Sequence, residues 1–519
     1  MNLRLIRFLL VALILPFNAW AGGIVTNTNQ SASFIRKPVQ DAVINATGTY
    51  YNPAGLAFLE DGFHLSLSNQ SILQTRKISS TFPGLATDEF EGNVRAPLFP
   101  TVYAVYKSGS LAYSFGINPI GGGGSADFQK GLPSFEQEIA VLPPGLTAVG
   151  INTTAYQMDA AFDASSLNWG LQLNASYAFN EVLSVSAGFR YIIANNTYKG
   201  HLRDIMINPV HPLNANGPGN MVSAPMFFGT VAFAANSAVQ ALQPVIDNDA
   251  GGLTLPQLVN LGVISQDEAN QLAGGLGDAY SPEMTAAQIQ GAYSGIATQM
   301  TGLANATEDR ALDASQSGWG IAPIFGMNIK FSDDLNMAVK YEHRATIKMT
   351  NSTTVDDVGM YPDGLEVPND MPSMLAVGLN YKPTRELSLS AGMHYYFDRD
   401  ADYGKQLNGE FVPNSRVIDS NFLELGFGVE YFVNRDLSIS TGYLRTQTGV
   451  NDDYQSDISH SLNTNSIGIG GSYRFTPNLL FNLGFMTTMY ESYTKTFTGY
   501  NQTYDRSALT LAIGFDFRF

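Results

Sequence analysis

The sequence predicts an all-β chain: a 14-stranded antiparallel transmembrane β-barrel with a large, partly helical extracellular loop. Three observations predict it: the alternation of the last residues, its recurrence along the chain, and connections that are short and long in turn. At the C-terminus, Leu509, Leu511, Ile513, Phe515, Phe517 and Phe519 alternate with Thr510, Ala512, Gly514, Asp516 and Arg518. The side-chain period of a strand is two, so this strand faces two different surroundings. A soluble sandwich strand could alternate in this way, but the length and aromatic end fit better the closing strand of an outer-membrane barrel.

The same pattern recurs over 479–485, 467–475, 437–443, 423–431, 387–395, 375–381, 335–341, 319–331, 183–191 and 167–179. Segments 111–117, 102–106 and 63–67 complete a set of about fourteen, an even number as bacterial barrels have. Short turns fall at 107–110, 180–181, 332–334, 382–385, 434–436 and 476–478, and every other connection is long and polar. That rhythm matches short periplasmic turns and long outer loops, and puts both chain ends in the periplasm of a bacterial outer membrane. By the same parity Arg190, Lys340, Glu342, Glu424, Glu430, Arg474, Asp516 and Arg518 face the lumen. A polar interior must pair its charges, so a structural network is their default role.

Composition agrees. Charged residues are 14% of the chain, against about a quarter in an average soluble protein. Beyond the start of the chain there is no run of about twenty apolar residues, so helical spanning is excluded. Arg4 and Arg7, the apolar stretch 8–17 and Ala19-Trp20-Ala21 read as a secretory signal over 1–21, with the mature chain starting at Gly22. Cysteine is absent, which excludes disulfides and thiolate metal sites. The net charge of −17, without a basic stripe, argues against nucleic acid. The six histidines lack metal-ligand spacing. Neither G-x-S-x-G nor a P-loop occurs, and no cofactor, metal or catalytic role is expected; Glu424 and Glu430 lack the setting of an acid/base pair.

Two segments stand outside the wall, 22–61 and the loop 200–317, which leaves 62–519 as the barrel. The loop carries three capping-box patterns, Thr254…Gln257, Ser265…Glu268 and Thr285…Gln288. After the third, Ile289, Ala292, Tyr293, Ile296 and Met300 fall at helical spacing and predict an amphipathic helix at the extracellular mouth.

The segment 22–61 contains Tyr50-Tyr51-Asn52-Pro53-Ala54-Gly55-Leu56. An Asn52-Pro53-Ala54 triplet shortly before a first barrel strand resembles the hatch of the FadL family, the outer-membrane transporters of long-chain fatty acids and other hydrophobic compounds. The Ser317-Gly318-Trp319-Gly320 start of a strand after a large helical loop is also similar to that family. The resemblance covers essentially the whole mature chain. It implies a barrel plugged by the hatch 22–61, capture of cargo at extracellular loops, transfer to a lumenal pocket, and sideways release where the third strand kinks inward. Here that strand runs over about 111–129 and contains Gly121, Gly122, Gly123 and Gly124. Four glycines offer no side chains to pack and allow unusual backbone angles, so they mark a bend, or an ordinary loop after a strand ending at Pro119.

A greasy route suits such cargo. Burying one methylene gains about 0.8 kcal/mol, so a sixteen-carbon chain gains on the order of 12 kcal/mol in an apolar pocket. A buried carboxylate needs a partner. Arg36, Lys37, Lys199 and Arg203 are the candidate cations, each with a hatch–wall or rim ion pair as its alternative role. Phe34 either lines the pocket or wedges the hatch. The expected partners are hydrophobic small molecules such as fatty acids, outer-membrane lipid and the barrel assembly machinery, with the barrel a monomer. The competing functions are a porin for polar solutes and an adhesive or structural surface barrel.

Overall fold

The computed structural model describes residues 26–407 and 409–519. The expected signal 1–21 and the first hatch residues, 22–25, lie outside the described residues. Fourteen antiparallel wall strands close into a barrel. They are β1 (Gly62–Ser80), β2 (Glu89–Ser108), β3 (Leu111–Phe128), β4 (Tyr156–Ala178), β5 (Leu183–Ile207) and β6 (Arg310–Lys330). Then come β7 (Leu335–Glu342, resumed as Lys348–Asp356), β8 (Glu366–Pro368, resumed as Met374–Tyr381), β9 (Leu387–Tyr396) and β10 (Leu423–Phe432). The last four are β11 (Leu437–Gln447), β12 (Thr464–Thr476), β13 (Leu479–Tyr490, resumed as Tyr493–Phe497) and β14 (Tyr500–Arg518). The register of β1 on β14 runs from His64 opposite Arg518 to Ser80 opposite Gln502, which seals the seam and leaves no sheet edge there.

The alternation has the expected physical sense. Leu509, Leu511, Ile513 and Phe515 are exposed on the outer face, where lipid would cover them. Thr510 and Ala512 are buried inside. Phe519 ends beside Phe63, with ring centroids 6.0 Å apart, at the short-turn end. The strands are longer than their apolar stretches. β5 has 25 residues, whereas a spanning strand needs about 9–11. Side-chain alternation reports only the lipid band, but the backbone ladder continues past it as a wall beyond the membrane.

At the long-loop end the chain from β5 to β6 folds as helices α5 (Ala224–Asp247), α6 (Leu255–Asn260), α7 (Gln266–Leu276) and α8 (Ala286–Ala306), preceded in the chain by hatch helices α1 (Ala32–Arg36) and α2 (Gly48–Tyr51) and loop helices α3 (Pro133–Ala140) and α4 (Leu142–Ala148). All three expected capping boxes open helices, at Thr254, Ser265 and Thr285. Capping boxes alone miss α5, whose start has none and holds Pro225 in its first turn. Phe227 and Phe228 of α5 and Met300 and Leu303 of α8 pack on Ile205 and Ile207 of β5, fastening the helical cap to the barrel mouth.

Helix α3 contributes a pH-dependent contact. Burial pushes the Glu138 carboxyl up to about 7, and Arg310 at 3.6 Å offsets this only in part. Between its ordinary value of 4.5 and about 7, the folded carboxyl holds a proton that the unfolded one has lost. The folded loop therefore binds more protons in that window, and its stability falls as pH rises through it. Glu138→Gln is expected to flatten this slope and to stabilise the loop at pH 8 by at most about 3 kcal/mol. Limited proteolysis of the outer loops at pH 5 and pH 8 measures it; a slope unchanged in the variant would assign the effect elsewhere.

Candidate functional site

The segment 26–61 fills the lumen, and the Asn52-Pro53-Ala54 triplet ties it to the wall. The Asn52 side chain accepts from the Gly55 amide at 3.0 Å, capping the 3-10 helix Pro53–Phe58, and its Nδ2 donates to Asn328 Oδ1 at 2.7 Å. The carbonyls of Pro53 and Ala54 accept from Ser176 and Ser184 on β4 and β5, both at 2.7 Å. Proline and alanine add no competing polar side chain, so the backbone itself serves as the docking surface. Phe34 is fully buried and stacks on Tyr51 at 5.6 Å, inside the hatch.

Three buried charge clusters hold the same segment. Glu430 on β10 accepts from Arg36 Nη1 at 2.7 Å and Lys37 Nζ at 3.3 Å, and from the Ser438 hydroxyl at 2.7 Å. Asp41 meets His394 Nε2 at 2.6 Å, and His394 Nδ1 lies 2.9 Å from Glu424. Both ring nitrogens face carboxylates, an arrangement an imidazolium satisfies. Arg190 and Lys340 converge on Glu342 at 2.6 and 2.7 Å, each also lying 4.7 Å from the Tyr50 ring centre. Arg36 and Lys37 are thus engaged with the wall. Lys199 and Arg203 stand on the outward, exposed side of β5, paired with Asp313 at 3.2 Å and Asp159 at 2.8 Å. Of the other lumenal charges, Asp516 accepts from Asn482 at 2.8 Å and Arg518 pairs with Glu60 at the short-turn end. Between Tyr50, Arg190, Ile192, Glu342 and Tyr396 lies a cavity of about 20 Å³, room for roughly one water.

Among the described residues the wall pairs from β3 round to β14 and on to β2 with local bulges and shorter gaps. One of these lies between β6 and β7, where pairing stops at Ile324 opposite Glu342 and resumes at Ser317 opposite Thr350. The longest gap is between β2 and β3. Their pairing runs from Ser108 opposite Leu111 to Val102 opposite Ile117, and resumes only at Asn93 opposite Asp127. Across the break lie positions 94–101 of β2 and 118–126 of β3. On its other side β3 bulges against β4 between Pro119 and Gly121 and again between Gly122 and Gly124. Gly122 has φ +81°, and a Cβ there would sit 2.1 Å from the Ser166 carbonyl oxygen. Only glycine fits that backbone. The freed Ile120 carbonyl accepts from the Asn27 amide of the hatch at 2.8 Å. The β2 border carries Pro97 and Pro100, which have no N–H to offer a neighbour. Those prolines are the sequence signal for the β2 side of the break.

No family model and no curated protein matches the chain. Among solved structures it is similar to a Pseudomonas aeruginosa FadL homologue, with a TM-score of 0.59 and 12% identity, covering 96% of this chain and 100% of that one. It is also similar to the Pseudomonas putida toluene transporter TodX, with a TM-score of 0.53 and 15% identity, over 96% of this chain and 100% of that one. At these identities the likeness is one of fold: the chain has the closed 14-stranded barrel fold that these FadL-type structures share.

Proposed function

We propose that this protein takes up hydrophobic compounds across the outer membrane, capturing them at the extracellular loops and releasing them sideways between β2 and β3. The interrupted ladder carries this reading, because a bilayer-facing wall does not leave backbone groups unpaired without a reason. The Asn27 amide fills part of the break, so displacement of the hatch N-terminus would open it. The lumenal cavity between Tyr50, Arg190 and Glu342 is too tight for cargo; a typical ligand pocket is roughly 300–1,000 Å³. Passage therefore requires the hatch to move, and a closed hatch keeps ions out while idle. Phe34, Arg36 and Lys37 lie in that moving segment and are proposed to meet cargo only once it shifts. The fatty acids named by the sequence resemblance and the toluene that TodX carries are both chemically compatible cargoes, since each gains from leaving water.

The chain has no cysteine of its own, so single cysteines report cleanly. A photo-crosslinker at Leu98, 76% exposed at the β2 border, is expected to capture a diffusing hydrophobic probe during uptake. The same label at Ile469, exposed on the wall strand β12, is expected to capture far less. Equal labelling at the two sites, with uptake intact, would sink lateral release at this break.

A further inference from the structure

On the inner face of the seam, near its long-loop end, two arginines stand directly opposite each other: Arg76 on β1 and Arg506 on β14. Side chains opposite one another across an antiparallel pair are about 5 Å apart at Cβ, and like charges there repel. No carboxylate pairs with either guanidinium among the described residues. The Nε of each is buried without a hydrogen-bond partner, as is Nε2 of Gln74, on the same face of β1. The contacts of Arg506 are a 3.4 Å bond from Nη2 to the His460 carbonyl and the Tyr490 ring at 5.2 Å. Asp505 is next in sequence, but strand parity turns its side chain to the other face, where it lies opposite Lys77. Burial, and then the field of Arg506 and Arg76, holds the loop residue His460 well below its ordinary pKa.

Such an arrangement is costly and avoidable. The chain has 45 acidic residues against 28 Lys and Arg, and it pairs the buried cations Arg36, Lys37, Arg190 and Lys340 with carboxylates at Glu430 and Glu342. Here it gathers donors around one long carbonyl contact and no anion. Ile78, Phe90, Val94 and Tyr504 form an apolar cluster alongside.

We propose that Arg76 and Arg506 form an oxyanion-binding site at the barrel mouth, taking the carboxylate or phosphate head of an amphiphile whose apolar tail lies on the adjoining cluster. Two forked guanidiniums can each donate twice to one oxyanion. The anion also relieves their repulsion, so the site is most stable when filled. The site stands apart from lateral release and survives or fails without it.

The test uses the mature chain purified in non-ionic detergent, with decanoate, decyl phosphate and inorganic phosphate as probes, read by calorimetry and thermal melting. Wild type is expected to bind a tailed oxyanion saturably and at least tenfold more tightly than inorganic phosphate. Arg76→Gln and Arg506→Gln are each expected to weaken that binding at least tenfold, yet to raise the melting temperature of the unliganded protein. Tighter binding of decanoate identifies a carboxylate cargo, tighter binding of decyl phosphate a phosphorylated lipid; both outcomes uphold the site. Inorganic phosphate binding as tightly as the tailed probes overturns the amphiphile assignment. Absence of saturable binding to wild type, or less than a twofold change in both variants, overturns the site itself. Because binding is measured without transport, failure of labelling at Leu98 leaves this result standing, and the reverse holds too.

Discussion

Glu430→Gln is expected to loosen the hatch and make the closed barrel leak. The substitution keeps the shape of the side chain and removes its charge. Arg36 and Lys37 are then left in the lumen, 6% and 2% exposed, with no other carboxylate paired to either among the described residues. Removing one partner of a buried ion pair costs roughly 3–5 kcal/mol, because the other charge stays desolvated and uncompensated. Here one carboxylate serves two cations, so the upper part of that range applies. Arg36 retains bonds to Asn482 at 3.1 Å and Ser440 at 2.9 Å, which limits the damage to the hatch and spares the wall. Single-channel recording is the direct measurement: wild type should pass almost no current, and Glu430→Gln should show openings. Replacing all three charges by neutral residues should restore a quiet barrel, since an apolar substitute for a buried pair is often neutral or better. If the single variant stays as quiet as wild type, and melts at the same temperature, the cluster is not what retains the hatch.

The clusters also explain what is legible in the sequence and what is hidden there. Wall strands are readable because lipid outside and polar lumen inside impose a period of two on each strand separately. Parity alone turns Glu342, Glu424 and Glu430 inward. It cannot supply their partners, since pairing depends on strand register and on where the hatch lies. In sequence His394 reads as one of six scattered histidines, though it shares the inward parity and sits directly opposite Glu424. Asp41 lies 353 positions from His394 in the chain, and no local pattern joins them. Lys199 stands among the candidate ligand cations by its charge, although its odd number in β5 already points it outward. Arg76 and Arg506 are invisible for the same reason as Asp41: each is unremarkable until the seam brings them together. The hatch triplet is recognisable by resemblance, but its role as a backbone acceptor for Ser176 and Ser184 emerges only from the packing of hatch on wall.

The glycine run gives the sharpest test of the proposed path. Gly122→Ala is expected to cut uptake of a hydrophobic probe at least tenfold while the barrel still assembles. Two separate costs meet at this residue. A positive φ costs a non-glycine residue roughly 1–2 kcal/mol. The added methyl would also fall 2.1 Å from the Ser166 carbonyl oxygen and 3.0 Å from Leu167 Cα. Both are backbone atoms, so no rotamer change relieves the contact, and the β3–β4 register must shift. The nearest alternative is a regular strand without the bulge, whose freed groups would pair with β2 and close the break. Gly150→Ala separates the two costs: its φ is +93° but nothing lies within 4 Å of the added methyl. That control carries the strain alone, in an outer loop, and should transport normally. Heat-modifiable migration on gels checks that both variants form barrels. Should Gly122→Ala transport as well as Gly150→Ala, the bulge is a packing detail and cargo leaves by another route. If it fails while the barrel stays folded, the defect lies in the wall at the break, because the hatch clusters around Glu342, Glu430 and His394 are untouched.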